Sequence, residues 1–168
     1  MMRNLQEYLG KCIAMCEECE IPVRTVTEIS THKSKKAWGY CKTENFETFQ
    51  ITINEMLTDP TISADDYGLI TTILHELIHT CTDCFNHGAK FQRYAEILTE
   101  KTGYSVKITD DTDGKKIDKI AFYNTFKYLY VCEKCGAYIG KSRKCDFTEN
   151  TNRYFHGKCG GKFKKIEK

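Results

Sequence analysis

The chain has 168 residues, with 25 Lys and Arg against 23 Asp and Glu, 40% hydrophobic residues, two prolines and ten cysteines. A chain this long is one ordinary domain, or one domain with a small appendage, and it buries about 70% of the surface its unfolded form exposes, so it forms a core without staples. Arg3, Asn4, Gln6 and Glu7 stand where a signal peptide needs an apolar run, and no stretch approaches the ~18 apolar residues of a membrane span. The expectation is a cytoplasmic protein with no membrane partner, whose cysteines are reduced thiols or metal ligands.

Leu5, Tyr8, Leu9, Cys12, Cys16 and Cys19 recur at three- and four-residue steps and predict a helix that stops before Pro22. Cysteines that share a face with Leu and Tyr read as core rather than as a metal site. Val23 to Ile29, Ala37 to Cys41 and Phe49 to Ile53 predict short strands of a small antiparallel sheet. Ser63-Ala-Asp-Asp66 reads as a capping box opening a helix that runs through Gly68 to at least Thr80. A further helix, Ala89 to Thr102, presents Phe91, Tyr94, Ala95 and Leu98 and ends at Gly103; Val106 and Ile108 follow as a short strand.

The polar run Thr109 to Lys116, with the turn signal Asp113-Gly114, marks a boundary between residues 1–114 and 115–168. The first part holds 11 basic and 18 acidic side chains, net −7; the second holds 14 and 5, net +9, with ten of the twenty aromatics. Asp111, Asp113 and Gly114 look like part of a calcium loop, but that register puts Thr109 and Ile120 where acids are required, which excludes it.

His75-Glu76-Leu77-Ile78-His79 is an H-E-x-x-H pattern, which this composition produces by chance about once in 80 such chains. On a helix the two histidines sit about 40° apart, one turn from each other, so both imidazoles reach one ion. Ile70, Ile73, Leu74, Leu77, Cys81 and Cys84 fall on the opposite, apolar face. A catalytic zinc takes three protein ligands and keeps one position open, and His87 supplies the third, with Gly88 turning the chain back toward the ion. An acid on the next helix, Glu96 or Glu100, remains the alternative. Three neutral imidazoles leave zinc its double charge and bring bound water toward a pKa of ~7; Glu76, adjacent but not a ligand, takes the proton and delivers it to the leaving amine. Arg93 and Tyr94 are candidate oxyanion donors by proximity in the sequence.

Cys132-Glu-Lys-Cys135-Gly136 and His156-Gly-Lys-Cys159-Gly160 repeat one knuckle, and two such knuckles form a zinc ribbon whose Cys3His site is structural; Cys145 has no partner at knuckle spacing. Two zinc ions per chain are expected.

The ordered combination of Lys36-Ala37-Trp38-Gly39, Ile51-Thr-Ile-Asn54, H-E-L-I-H at 75–79, His87-Gly88-x-x-Phe91 and the ribbon ending Cys159-Gly-Gly-Lys162 resembles the SprT-like zinc metallopeptidases, which include bacterial SprT and eukaryotic Spartan proteases. His156 stands where many such ribbons have cysteine. The resemblance implies an α+β, zincin-like metallopeptidase domain followed by the ribbon, zinc on His75, His79 and His87, and Glu76 as acid/base. For the Spartan branch it implies cleavage of proteins crosslinked to DNA. A basic, aromatic-rich segment suits single-stranded or frayed DNA, with Lys162, Lys164 and Lys165 as phosphate contacts. The competing readings are a non-enzymatic nucleic-acid-binding protein and a DNA-independent peptidase with a specific protein substrate.

Overall fold

A computed structural model describes residues 1–34, 36–109 and 114–167. They form two compact units, Met1–Asp118 and Lys119–Lys168.

In the first unit, α1 (Leu5–Glu18) opens where the Asn4 side chain accepts from the Gln6 N–H. Leu9, Cys12, Cys16 and Cys19 are buried while Glu17, Glu18 and Glu20 are exposed, the stripe the spacing predicts. The thiols behave as small hydrophobes: burial pushes Cys12 and Cys81 up to about 12.

The strands are β1 (Thr25–His32), β2 (Gly39–Lys42) and β3 (Thr48–Asn54), in the order β1-β3-β2. The sheet is mixed rather than antiparallel, because β3 pairs parallel with β1 and antiparallel with β2. The hairpin at 43–47 forces the second pairing; the first follows because β2 takes the sheet edge, leaving the central slot for β3. Phe49, Ile51 and Ile53 are at most 1% exposed and make the core face.

Helix α2 (Tyr67–Ile78) packs against α1, β2 and β3 and is buried nearly all round, Glu76 included. It begins later than the proposed capping box. The Ser63 hydroxyl donates to the Asp65 carbonyl, and Asp65 Oδ1 takes the Tyr67 N–H. It also ends earlier, with His79 as C-cap. The Thr80 hydroxyl donates to the Leu77 carbonyl, and the Thr80 and Cys81 N–H groups close three-residue turns onto Leu77 and Ile78. Cys81 and Cys84 are buried even so.

Helix α3 (Ala89–Thr102) ends at Gly103, in the left-handed region at φ 76°. Val106 and Ile108 form no strand: the Ser105 and Val106 N–H groups go to the Tyr67 and Thr99 hydroxyls instead of a ladder. Residues 115–118, beyond the compositional boundary, stay with this unit, where Ile117 bridges Ser63 and the Asp118 N–H bonds the Ile62 carbonyl. Asp111 and Asp113 of the acidic loop lie outside the described residues.

The second unit contains α4 (Lys119–Asn124), β4 (Tyr128–Cys132), β5 (Tyr138–Lys141), α5 (Asp146–Glu149) and β6 (Phe163–Ile166), with an antiparallel sheet ordered β5-β4-β6. Phe147 of α5 packs edge-on to Tyr130, Tyr154 and Phe163. The architecture is α+β, and no helix among the described residues is long and apolar enough to cross a membrane.

Candidate metal centres

His75 sits in the last turn of α2, His79 caps it, and His87 precedes the N-cap of α3; their ring nitrogens gather within 4.8 Å of one another. His75 Nδ1 donates to the Lys107 carbonyl at 2.7 Å and His79 Nδ1 to the Cys84 carbonyl at 2.8 Å. Each bond places the proton on Nδ1 and leaves Nε2 as a lone pair. The Nε2 atoms of His79 and His87 lie 3.2 and 3.1 Å from Nε2 of His75. Converging lone pairs repel unless a cation lies among them, and nitrogens at ~2.0–2.1 Å from a tetrahedral zinc are about 3.3 Å apart. The donor set fits that ion.

Burial pushes the His75 imidazole down to about 3, the other two imidazoles adding to the effect and the Lys107 carbonyl opposing it; burial also lowers His79. Both rings are therefore neutral, the ligating form, at physiological pH. Phe91, fully buried, places its ring 4.7 to 4.9 Å from all three imidazole centroids and fixes their planes. The role assigned to Gly88 is corrected: its φ of −70° is open to any residue, and its N–H bonds Asn86 Oδ1. Glu96 and Glu100 line a groove on α3 with Val106 and Ile108 that none of the three histidines borders.

Glu76 is 5% exposed and borders a cavity of about 140 Å³ shared with Trp38, Gly39, Thr72, His75, Lys107, Ile108 and Lys115. Gly39 is a close approach of backbone to this carboxylate, since a Cβ there would lie 2.6 Å from Glu76 Oε1. Asn54 holds the segment leading into β2, its Nδ2 donating to the Ser34 and Ala37 carbonyls. Arg93 and Tyr94 do not border the cavity; of the two lysines that do, Lys115 is buried, its Nζ 3.1 Å from Thr71 Oγ1. Sequence reasoning missed Lys115 because it falls in a stretch that reads as a linker. It also missed the Lys107 and Cys84 carbonyls, which carry no side-chain signal.

Burial pushes the Glu76 carboxyl up from 4.5 to about 8 in the metal-free protein, with Lys115 opposing. Between those values the folded state keeps a proton that the unfolded state has released, so stability falls as pH rises through the window. Metal-free Glu76→Gln should accordingly be more stable than its parent at pH 8, on the order of a few kcal/mol, with the gap closing by pH 4.5. Denaturant titration followed by the single tryptophan, Trp38 of the first unit, measures it.

In the second unit, Cys132, Cys135, His156 and Cys159 gather as a four-donor set. Cys132 and Cys159 sulfurs are 3.4 Å apart, and His156 Nδ1 is 3.1 Å from the sulfurs of Cys135 and Cys159. Gly136 and Gly160 follow the second donor of each knuckle in the left-handed region, φ 72° and 67°, and their N–H groups return to the Cys132 and His156 carbonyls. Cys145 caps α5 instead of joining the set. Lys162, Lys164 and Lys165 are exposed, but strand alternation sends Lys164 and Lys165 to opposite faces of β6, and Lys165 pairs with Glu167 at 3.4 Å.

No curated protein matches the chain. The model of the SprT-like family matches residues 4–110, from the cap of α1 past the Lys107 carbonyl that orients His75. More than half of the chain, including every residue of the three-histidine centre, lies inside that match, and the protein belongs to the SprT-like family.

Proposed function

We propose that the first unit is a zincin-like, zinc-dependent endopeptidase and the second a ribbon folded around a structural zinc. The observation that carries this reading is the juxtaposition of three converging Nε2 atoms, two of them fixed as lone pairs by their Nδ1 bonds, with a buried carboxylate that follows His75 on α2 and is not one of the donors. Zinc held by His75, His79 and His87 would supply an activated water near neutral pH and polarise the scissile carbonyl. The protein's own residues do the rest. Strand β2 lies at the sheet edge and can pair with an extended peptide, and Gly39 brings that edge against Glu76. Glu76 accepts the proton of the attacking water and passes it to the amine nitrogen as the C–N bond breaks. A purely structural site has no use for that carboxylate, which argues against a non-enzymatic role.

The partner we propose is single-stranded or frayed DNA, held by the second unit, residues 119–168, with its net charge of +8, in a reducing, cytoplasmic setting that suits ten free cysteines. The edge-on packing of Phe147 against Tyr130, Tyr154 and Phe163 favours a second reading, a DNA-independent peptidase, because it engages those rings with one another and buries Tyr130, leaving fewer faces free for base stacking. One experiment separates the two. Unfolded casein should be hydrolysed by the zinc-loaded protein, not after chelation, and again when zinc is restored, with single-stranded DNA accelerating cleavage more than blunt duplex. Single-strand affinity should fall with salt at a log-log slope of about −0.7 per phosphate neutralised. Replacing Lys162, Lys164 and Lys165 with Ala should flatten that slope without changing zinc content. Absence of hydrolysis refutes the peptidase; salt-insensitive or absent DNA binding leaves the DNA-independent one.

A further inference from the structure

Two phenylalanines in contact face solvent, one of them beside the three-histidine centre. Phe46, in the β2–β3 hairpin, is 58% exposed, and Phe85, in the loop after α2, is 53% exposed; their rings meet edge-on at 5.8 Å. Exposed aromatics in contact signal an interaction site when the fold invests in holding them. Here it does so in four ways. Phe46 adopts φ +58°, a left-handed conformation that Gly or Asn takes readily and a bulky aromatic takes only under strain. The hairpin around it is braced, since the Phe46 N–H bonds Thr43 Oγ1 while Asn45 Oδ1 accepts from the Glu47 and Thr48 N–H groups. Arg24 ties the two loops together, one guanidinium nitrogen donating to the Phe46 carbonyl and the other to the Thr82 hydroxyl. Phe85, finally, follows Cys84, whose carbonyl orients His79, and its ring centroid lies 6.4 Å from that imidazole.

We propose that Phe46 and Phe85 form a recognition site for an apolar side chain of the polypeptide bound at the metal centre. The inference rests on the peptidase reading for its reacting bond, but not for the recognition itself. Phe85 walls a cavity of about 450 Å³ lined also by Cys41, Lys42, Thr43 and Gln50, at the end of β2 away from Gly39. At about 3.3 Å per residue, the run from Gly39 to Thr43 spans about 13 Å. A peptide paired along β2 with its reacting bond beside Glu76 therefore presents to the aromatic pair the side chain three or four residues from that bond. The hairpin and the neighbouring loop make one preformed apolar patch in an otherwise polar rim, which suits an aromatic or branched aliphatic residue of an unfolded chain. Such residues are buried in a folded substrate, so the patch selects for unfolded segments.

Binding tests this without turnover. Labelled peptides of Gly, Ser and Ala, with one Phe moved along the sequence, are titrated by fluorescence anisotropy into the zinc-loaded 168-residue Glu76→Gln chain. Phe at one position should tighten binding roughly 10- to 100-fold over Ser. Adding Phe46→Asn, which removes the ring and relieves the backbone, should bring that ratio toward one while zinc content holds and thermal stability holds or rises. A ratio near one at every position, or one that survives Phe46→Asn, overturns the inference. A Phe preference in a protein that, with Glu76 intact, hydrolyses nothing sinks the peptidase reading and leaves the recognition site standing; hydrolysis indifferent to apolar residues sinks the recognition site alone.

Discussion

Glu76→Gln is expected to keep its zinc and lose peptide hydrolysis by roughly 10² to 10⁴, the usual contribution of a positioned proton carrier. Glutamine preserves the shape in a space where Gly39 leaves no slack, its Cβ position being 2.6 Å from Glu76 Oε1. The imidazoles are oriented by the Lys107 and Cys84 carbonyls and by the Phe91 ring, none of which involves the carboxylate. Metal affinity and proton transfer are therefore separable here. Zinc content by elemental analysis and initial rates on an unfolded substrate make the comparison. Undiminished hydrolysis would dismiss Glu76 as the base; loss of the metal would mean that it is a ligand.

Cys135→Ser should have the largest effect on folding, and only on the second unit. Zinc binding in small modules of this kind supplies about 10–16 kcal/mol, more than the stability of a typical domain, so losing a thiolate donor leaves little to hold the unit together. The sheet cannot compensate. β4 ends at the candidate donor Cys132, and the β6 register runs from Cys132 opposite Phe163 to Leu129 opposite Ile166, so the ladder starts at the knuckle. The variant should bind one zinc instead of two, become sensitive to proteolysis within 119–167, and keep the thermal transition reported by Trp38 in the first unit. Retention of two ions would disprove the four-donor assignment. A parallel collapse of the Trp38 signal would disprove the independence of the two foldings.

Helices were the most legible part of the fold. The α3 limits coincide with those predicted, and the buried stripe of α1 is the one its periodicity implies, because both signals are local and repeated. The parallel pairing of β1 with β3 was not legible, since strand order depends on where the intervening chain crosses, and three short strands accommodate either arrangement. The start and stop of α2 were misread for a related reason. Ser63 and Thr80 spend their hydroxyls on the Asp65 and Leu77 carbonyls, competing hydrogen bonds that sequence spacing does not rank. At the site, His75, His79, His87 and the two knuckles were visible as residue types at fixed intervals, whereas Lys115 and Phe85 acquire meaning only through tertiary proximity.

The two histidine-orienting acceptors are main-chain atoms, and this has an evolutionary corollary. A carboxylate acceptor is deleted by a single codon change; a peptide carbonyl is carried by whatever amino acid stands at position 84 or 107. Drift at those positions is therefore tolerated so long as the chain path is kept, and the vulnerability moves to the residues that shape the path. Thr99 is one, because its hydroxyl receives the Val106 N–H just before Lys107, and Asp83, at φ +62° one residue ahead of Cys84, is another. Selection on ligand orientation in such a protein acts at a distance, on loop geometry, and a substitution catalogue of the first coordination sphere alone would overlook it.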